Sequence, residues 1–202
     1  MKSMSCFLLR AGRYARDFAN DCTGLAATEF VFIVPLMLVL FFGTNEFAQG
    51  IAVDRKVTIM ARTLADLTSQ NTSVTTTQLN NFFAASTAVL TPYPPGPVRA
   101  TLSELYVDPN SLQARVQWSS GTAPRGVGSN VTIPTQLQIG GTYLIFAEVS
   151  YQYVPTIGYV MAPSGVNLND VAYTRPRQNL GTGAACVFYP PDPSPSPVCP
   201  TN

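Results

Sequence analysis

Leu25 to Gly43 reads LAATEFVFIVPLMLVLFFG, nineteen residues whose only ionisable member is Glu29. At about 1.5 Å of rise per residue, a helix over this stretch covers roughly 28 Å, close to a hydrocarbon core about 30 Å thick. Residues 25–43 are therefore predicted to span a bilayer. Lys2, Arg10, Arg13 and Arg16 precede the span against Asp17 and Asp21, while Arg55, Lys56 and Arg62 lie beyond its far end. Basic residues set orientation, so residues 1–24 read as a basic cytoplasmic leader, with everything after Gly43 outside. Pro35 removes one backbone hydrogen bond, which membrane helices tolerate, and a mild kink over Val31 to Pro35 is expected. Glu29 has two readings. An acid at the centre of a span costs about 2.5–3.5 kcal/mol and asks for a partner or an aqueous exit. Within about a turn and a half of the helix start, however, the same acid can snorkel to the headgroups.

The whole-chain composition narrows the function classes. Only 11% of the 202 residues are charged and the formal net charge is +1, so no field exists to hold a polyanion, and nucleic acid is not expected as a partner. The chain has no histidine, which removes the commonest general base and zinc ligand. It also lacks a GxxxxGK[ST] loop, a GxGxxG turn, a paired CxxC and an acidic calcium loop. Neither catalytic residues nor a metal or cofactor are expected, and the chain reads as a non-enzyme. Glu104, Glu148 and Asp170 remain as carboxylates without a supporting spacing.

Outward from the span, Val53, Val57, Met60, Leu64 and Leu67 recur at helical spacing, with Asp54, Arg55, Arg62 and Asp66 on the rest of the circumference. Residues 44–70 thus read as an amphipathic continuation of the same helix. Unbroken from Leu25 to Ser69, it would be roughly 67 Å long, its outer half a stalk. Thr75 to Gln78 has the form of a capping box before Leu79, Phe82, Phe83, Ser86 and Val89, a second short helix stopped by the prolines from Pro92 to Pro97. Strand signals follow. Val98 to Val107 and the alternating Leu112, Ala114, Val116 and Trp118 form a hairpin around Asp108-Pro109-Asn110-Ser111, with one buried face. Ser119 to Gly141 reads as loop with one short extended piece near Val131 to Pro134. Tyr143 to Tyr153 is the longest strand, and a shorter one is expected from Asp170 to Arg175. The fold class is α+β: a long amino-terminal helix on a small antiparallel sheet of three or four strands, plus a short second helix. Residues 71–180 form the extracytoplasmic domain. Arg175 and Arg177 read as solvated charges at a strand end. Residues 181–202 read as a mobile proline-rich tail, in which Cys186 and Cys199, lying in an oxidising compartment, can pair.

The constellation at the head of the span carries a resemblance. A basic leader ends at Gly24; Leu25-Ala26-Ala27-Thr28 follow, then Glu29-Phe30 and the apolar run. This resembles the processing site of type IV pilin-like proteins, in which a prepilin peptidase cuts after the glycine and a glutamate stands fifth in the new chain. An aromatic residue after the glutamate, here Phe30, is typical of the tight-adherence (Tad) branch. From Gly24 through Pro35 and Leu36 to Glu46-Phe47 the stretch is similar to the TadE-like minor pilins, or pseudopilins. The resemblance implies cleavage between Gly24 and Leu25, and pairing of the Glu29 carboxylate with the freed amine of a neighbouring subunit, where an unpaired charge would be costly. It implies as partners a prepilin peptidase, other pilins and pseudopilins, and the inner membrane. It also implies a single-pass bacterial inner-membrane protein with a cytoplasmic amino terminus and a periplasmic domain, entering the pilus or acting in its initiation or assembly. The alternative is a secreted or membrane-anchored adhesin-like binding module, cut at the small-residue site Ala48-Gln49-Gly50.

Overall fold

The computed structural model describes residues 23–155, 165–178 and 186–187. The chain divides into two compact units, residues 1–45 and 46–202. Helix α1 (Thr23–Ser69) contains Pro35 and crosses the boundary between them. In the first unit its described side chains are mostly apolar and, Val34 apart, exposed. In the second, Val53, Val57, Met60 and Leu64 are fully buried, as their spacing predicts. Leu67 departs from that stripe: it is half-buried, and Thr68 takes the inward position after Leu64. The Thr68 hydroxyl donates to the Leu64 carbonyl at 3.0 Å, so the helix itself satisfies it.

Helix α2 (Thr76–Ala88) starts on the predicted cap. Thr75 Oγ1 accepts from the Gln78 N–H, and the Thr75 N–H donates to Gln78 Oε1 at 2.9 Å. Leu79 and Ser86 are its buried residues, with Phe82 and Phe83 packed partly against the core. Lys56 of α1 donates to the Val89 and Thr91 carbonyls at 3.0 and 2.8 Å, a cation on the open carbonyls past the end of α2. Ser86 Oγ is buried with no hydrogen-bond partner among the described residues. Ser86→Ala removes an orphaned hydroxyl at little change in volume and is expected to raise stability by about 1 kcal/mol, read as a higher urea midpoint.

The sheet has five antiparallel strands in the order β3-β2-β1-β4-β5. They are β1 (Val98–Val107), β2 (Ala114–Gly121), β3 (Asn130–Val131), β4 (Tyr143–Tyr153) and β5 (Val166–Thr174). The fold is α+β. Strand β5 begins at Val166 rather than Asp170, and β3 is the short extended piece of the long loop. The β1–β2 turn forms on Asp108, whose carboxylate accepts from the Asn110 and Ser111 N–H groups at 2.7 and 3.1 Å. Those two donors hold the Asp108 carboxyl below its ordinary range. Leu112 closes the turn at φ 55° and is exposed, which removes it from the alternating strand.

A bulge decides which side chains meet. Glu104 pairs with Trp118 but Leu105 pairs with Val116, so Gln117 is the extra residue. A one-residue slip exchanges faces. Trp118 joins Leu102, Ile145, Ala147 and Val149 against α1 and α2. Val116 and Ala114 join Leu105, Val107, Leu144 and Phe146 on the other face, covered by Val131, Ile133 and Leu137 of the long loop. The single buried face expected of this hairpin is therefore two buried faces, and the loop supplies the second cover.

Candidate functional site

Gly24 is exposed, and a Cβ built there would meet nothing within 4 Å. Glu29 is exposed one turn further along, and among the described residues no hydrogen bond or ion pair reaches it. Phe30 is 67% exposed and Phe32 80%, and the apolar side chains from Ile33 to Phe41 stay exposed around the whole circumference, Val34 alone being half-covered. A helix that is apolar all round has no stable aqueous state by itself and requires lipid or other helices. By length and composition the helix from Ala27 can cross a membrane. On the 46–202 unit, Phe47, Ile51 and Ile59 continue an exposed apolar row on α1, away from its buried stripe. The side chain of Leu25 lies outside the described residues.

A second constellation, buried in the 46–202 unit, was legible in sequence only as a lone carboxylate. Glu104 is 3% exposed on the helix-facing side of β1. Trp118 Nε1 donates to Glu104 Oε2 at 3.0 Å and to the Val187 carbonyl at 2.8 Å, and the Val187 N–H donates to Glu104 Oε1 at 2.6 Å. The backbone of Val187 is thus held at both its N–H and its carbonyl by two side chains of the sheet. Burial pushes the Glu104 carboxyl up to about 8, against the opposing pull of the Val187 and Trp118 N–H groups. Tyr143 is also raised, by burial first and then by Glu104 and Tyr106.

Cys186 and Val187 are 4% and 0% exposed, so a mobile tail over 181–202 is incorrect at these two positions. Cys186 is disulfide-bonded, while its expected partner Cys199 lies outside the described residues. Arg177 is likewise more than a solvated charge. Its guanidinium pairs with Asp66 of α1, and its N–H donates to the Ser69 carbonyl at 2.8 Å, satisfying one of the open carbonyls at the end of α1.

The three carboxylates named from sequence do not form one group. Glu104 sits on the helix face. Glu148 lies on the opposite face in a two-point pair with Arg125, at 2.6 Å on each arm, and that guanidinium rests 5.6 Å over the Phe146 ring. Asp170, on β5, accepts from the Val171 N–H at 2.7 Å. Among the described residues no three acidic or cysteine side chains stand together as a metal site.

No curated protein and no solved structure matches the chain. A family model does match, over the first helix alone and ending at the residue that pairs with Arg177. Residues 24–66 match the family model of TadE-like protein, so over its first helix the chain is similar to that family, consistent with a pilin-like protein of the Tad pilus system.

Proposed function

We propose that the chain is a structural, non-enzymatic minor pilin, or pseudopilin, of a Tad-type pilus. It is cleaved after Gly24 by a prepilin peptidase at the cytoplasmic face of the inner membrane and acts in initiation or assembly of the fibre. One observation carries the reading: the TadE-like match begins at Gly24, the residue before the proposed cut, and runs into a helix apolar on every side that needs lipid or sister helices around it. After cleavage the Leu25 amine of one subunit neutralises Glu29 of the next as the helices leave lipid for one another. The row Phe47, Ile51 and Ile59 extends the helix-to-helix contact beyond the span. In this reading the domain outside is held together by its own two cores and presents surfaces to other pilus components.

The adhesin-like alternative needs a cut near Gly50. Ala48, Gln49 and Gly50 lie within α1, and a Cβ at Gly50 would sit 3.8 Å from the Tyr153 ring, so a protease would first have to unwind a packed helix. Mass spectrometry of the mature amino terminus separates the readings. Leu25 is expected. Ile51 would favour the secreted module, and Met1 would leave a static single-pass anchor and remove the processed-pilin reading.

A further inference from the structure

The two edges of the sheet are unlike. The β3 edge is two residues long and is itself a piece of the long loop. The β5 edge runs over nine residues, Val166–Thr174. Every one of them pairs with β4 on the inner side; on the outer side the Val171 N–H bonds to the Asp170 carboxylate at 2.7 Å, and among the described residues no other strand pairs with this edge. An edge of this length is a template for another strand unless charge, proline or a cover blocks it. Here Val166 and Val171 are 46% and 49% exposed, and the first proline follows only at Pro176.

A groove of about 750 Å³ runs beside the carboxy-terminal half of this edge. Arg62, Thr63, Asp66 and Leu67 of α1 form one wall, Leu137 forms the other, and Val171 to Thr174 border it. Neighbouring residues of β5 alternate between the walls. Ala172 belongs to the core beneath α1, whereas Tyr173 stacks on Phe146 at 4.8 Å on the Leu137 side. The charge of the groove is not balanced. Asp66 is engaged by Arg177 and by Gln70, while among the described residues Arg62 has no acidic partner.

We propose that this groove receives an extended segment of a partner pilus component, which adds as a sixth strand to β5 and carries an acidic side chain opposite Arg62. The open edge of β5 supplies the backbone hydrogen bonds, the Val171 N–H exchanging the Asp170 carboxylate for the incoming strand; Leu67 on one wall and Leu137 on the other take alternate side chains, and Arg62 selects the acid. A second copy of the chain is the poorer occupant. Full-length antiparallel pairing of two β5 strands would set Asp170 against Asp170 of the other copy, a like-charge pair at the centre of the ladder. The groove lies wholly within the 46–202 unit, so this inference stands or falls independently of cleavage after Gly24.

The test uses the full chain in detergent micelles and a fluorescein-labelled peptide, Thr-Val-Thr-Glu-Thr-Val-Thr. Peptide addition is expected to raise anisotropy and to slow amide exchange of β5 at least tenfold. A control with proline in place of the two threonines flanking the glutamate cannot complete the ladder and is expected not to bind. Val171→Lys and Arg62→Glu, both at exposed positions, should each weaken binding at least tenfold. Arg62→Glu should then prefer the same peptide with lysine for glutamate, a reversal that decides the matter even where Val171→Lys perturbs folding. Equal binding of the proline control, or unchanged binding by Arg62→Glu, overturns the proposal. So does slowed β5 exchange that depends on protein concentration without peptide, which would assign the edge to a second copy.

Discussion

Glu104→Ala is expected to destabilise the 46–202 unit by about 3 kcal/mol, and Trp118→Ala by about 3–5 kcal/mol. Each change strands groups that have no water to turn to. Loss of the carboxyl leaves the Val187 N–H without its acceptor in a buried site and opens a void between β1 and the carboxy-terminal segment. Loss of the indole removes the donor to both Glu104 and the Val187 carbonyl, together with a large part of the core under α1. Urea unfolding of the full chain in micelles, followed by far-ultraviolet circular dichroism, reads both. A Trp118→Phe chain retains the ring but not the N–H and should fall between Trp118→Ala and the parent. Midpoints within about 0.5 kcal/mol of the parent would mean that the Val187 backbone is not held where these bonds place it.

The same carboxyl makes stability depend on pH with a definite sign. Its folded value of about 8 lies above its ordinary 4.5. Between those values the unfolded chain releases the proton while the folded chain retains it, so the unfolded state binds fewer protons and stability falls as pH rises. The contribution is complete below about pH 4.5 and gone above about pH 8. The slope within the window is on the order of 1 kcal/mol per pH unit. Tyr143, which faces Glu104, is raised above its ordinary 10 and does not titrate in this range. Glu104→Gln cannot ionise, so the pH dependence of the parent minus that of Glu104→Gln isolates the group. A parent curve parallel to the Glu104→Gln curve from pH 5 to 8 would show that Glu104 is already ionised in the fold.

How much of this was legible depended on how local each cause was. The capping box at Thr75 and Gln78 and the stripe from Val53 to Leu64 are set by spacing within one helix, and both stand where the spacing puts them. The turn at Asp108 is set by its own side chain. The bulge at Gln117 is different: inserting one residue into a ladder leaves the alternation Ala114, Val116, Trp118 intact on paper while exchanging the faces on which its members lie. Glu104 stood in step with Ala100 and Leu102, an inward position, but its partner Val187 is 83 residues away. Local composition there, dominated by proline and glycine, reads as tail. The β5 groove is illegible for the same reason, since Arg62 and Val171 meet only after the sheet has curled against α1. At the amino terminus the opposite held. Gly24, Glu29 and Phe30 were read from order alone, because what they are read to do is intermolecular and needs no tertiary partner.

On the proposed function, Glu29→Ala is expected to leave membrane insertion and the proposed cleavage after Gly24 unchanged while reducing incorporation into pili, or pilus number, at least tenfold. Insertion should survive because the apolar run from Phe30 to Phe42 is untouched, and removing an acid makes a span easier to insert. Cleavage should survive because the proposed cut is at the backbone of Gly24, where no side chain intrudes. Assembly should fail because, as a helix passes from lipid into a bundle, the amine at Leu25 of the neighbouring subunit loses the counter-charge that makes its burial tolerable, and an unpaired buried charge costs several kcal/mol. Glu29→Gln retains size and hydrogen-bonding capacity but not charge, so it separates the pairing from packing: both variants should fail alike. Immunoblotting for the mature chain and electron microscopy of cell-surface fibres give the two readouts side by side. Fibres at parental number in Glu29→Ala, with the chain fully matured, would mean that this carboxylate merely snorkels to the headgroups. Uncleaved chain in the same variant would place Glu29 in peptidase recognition instead of subunit pairing.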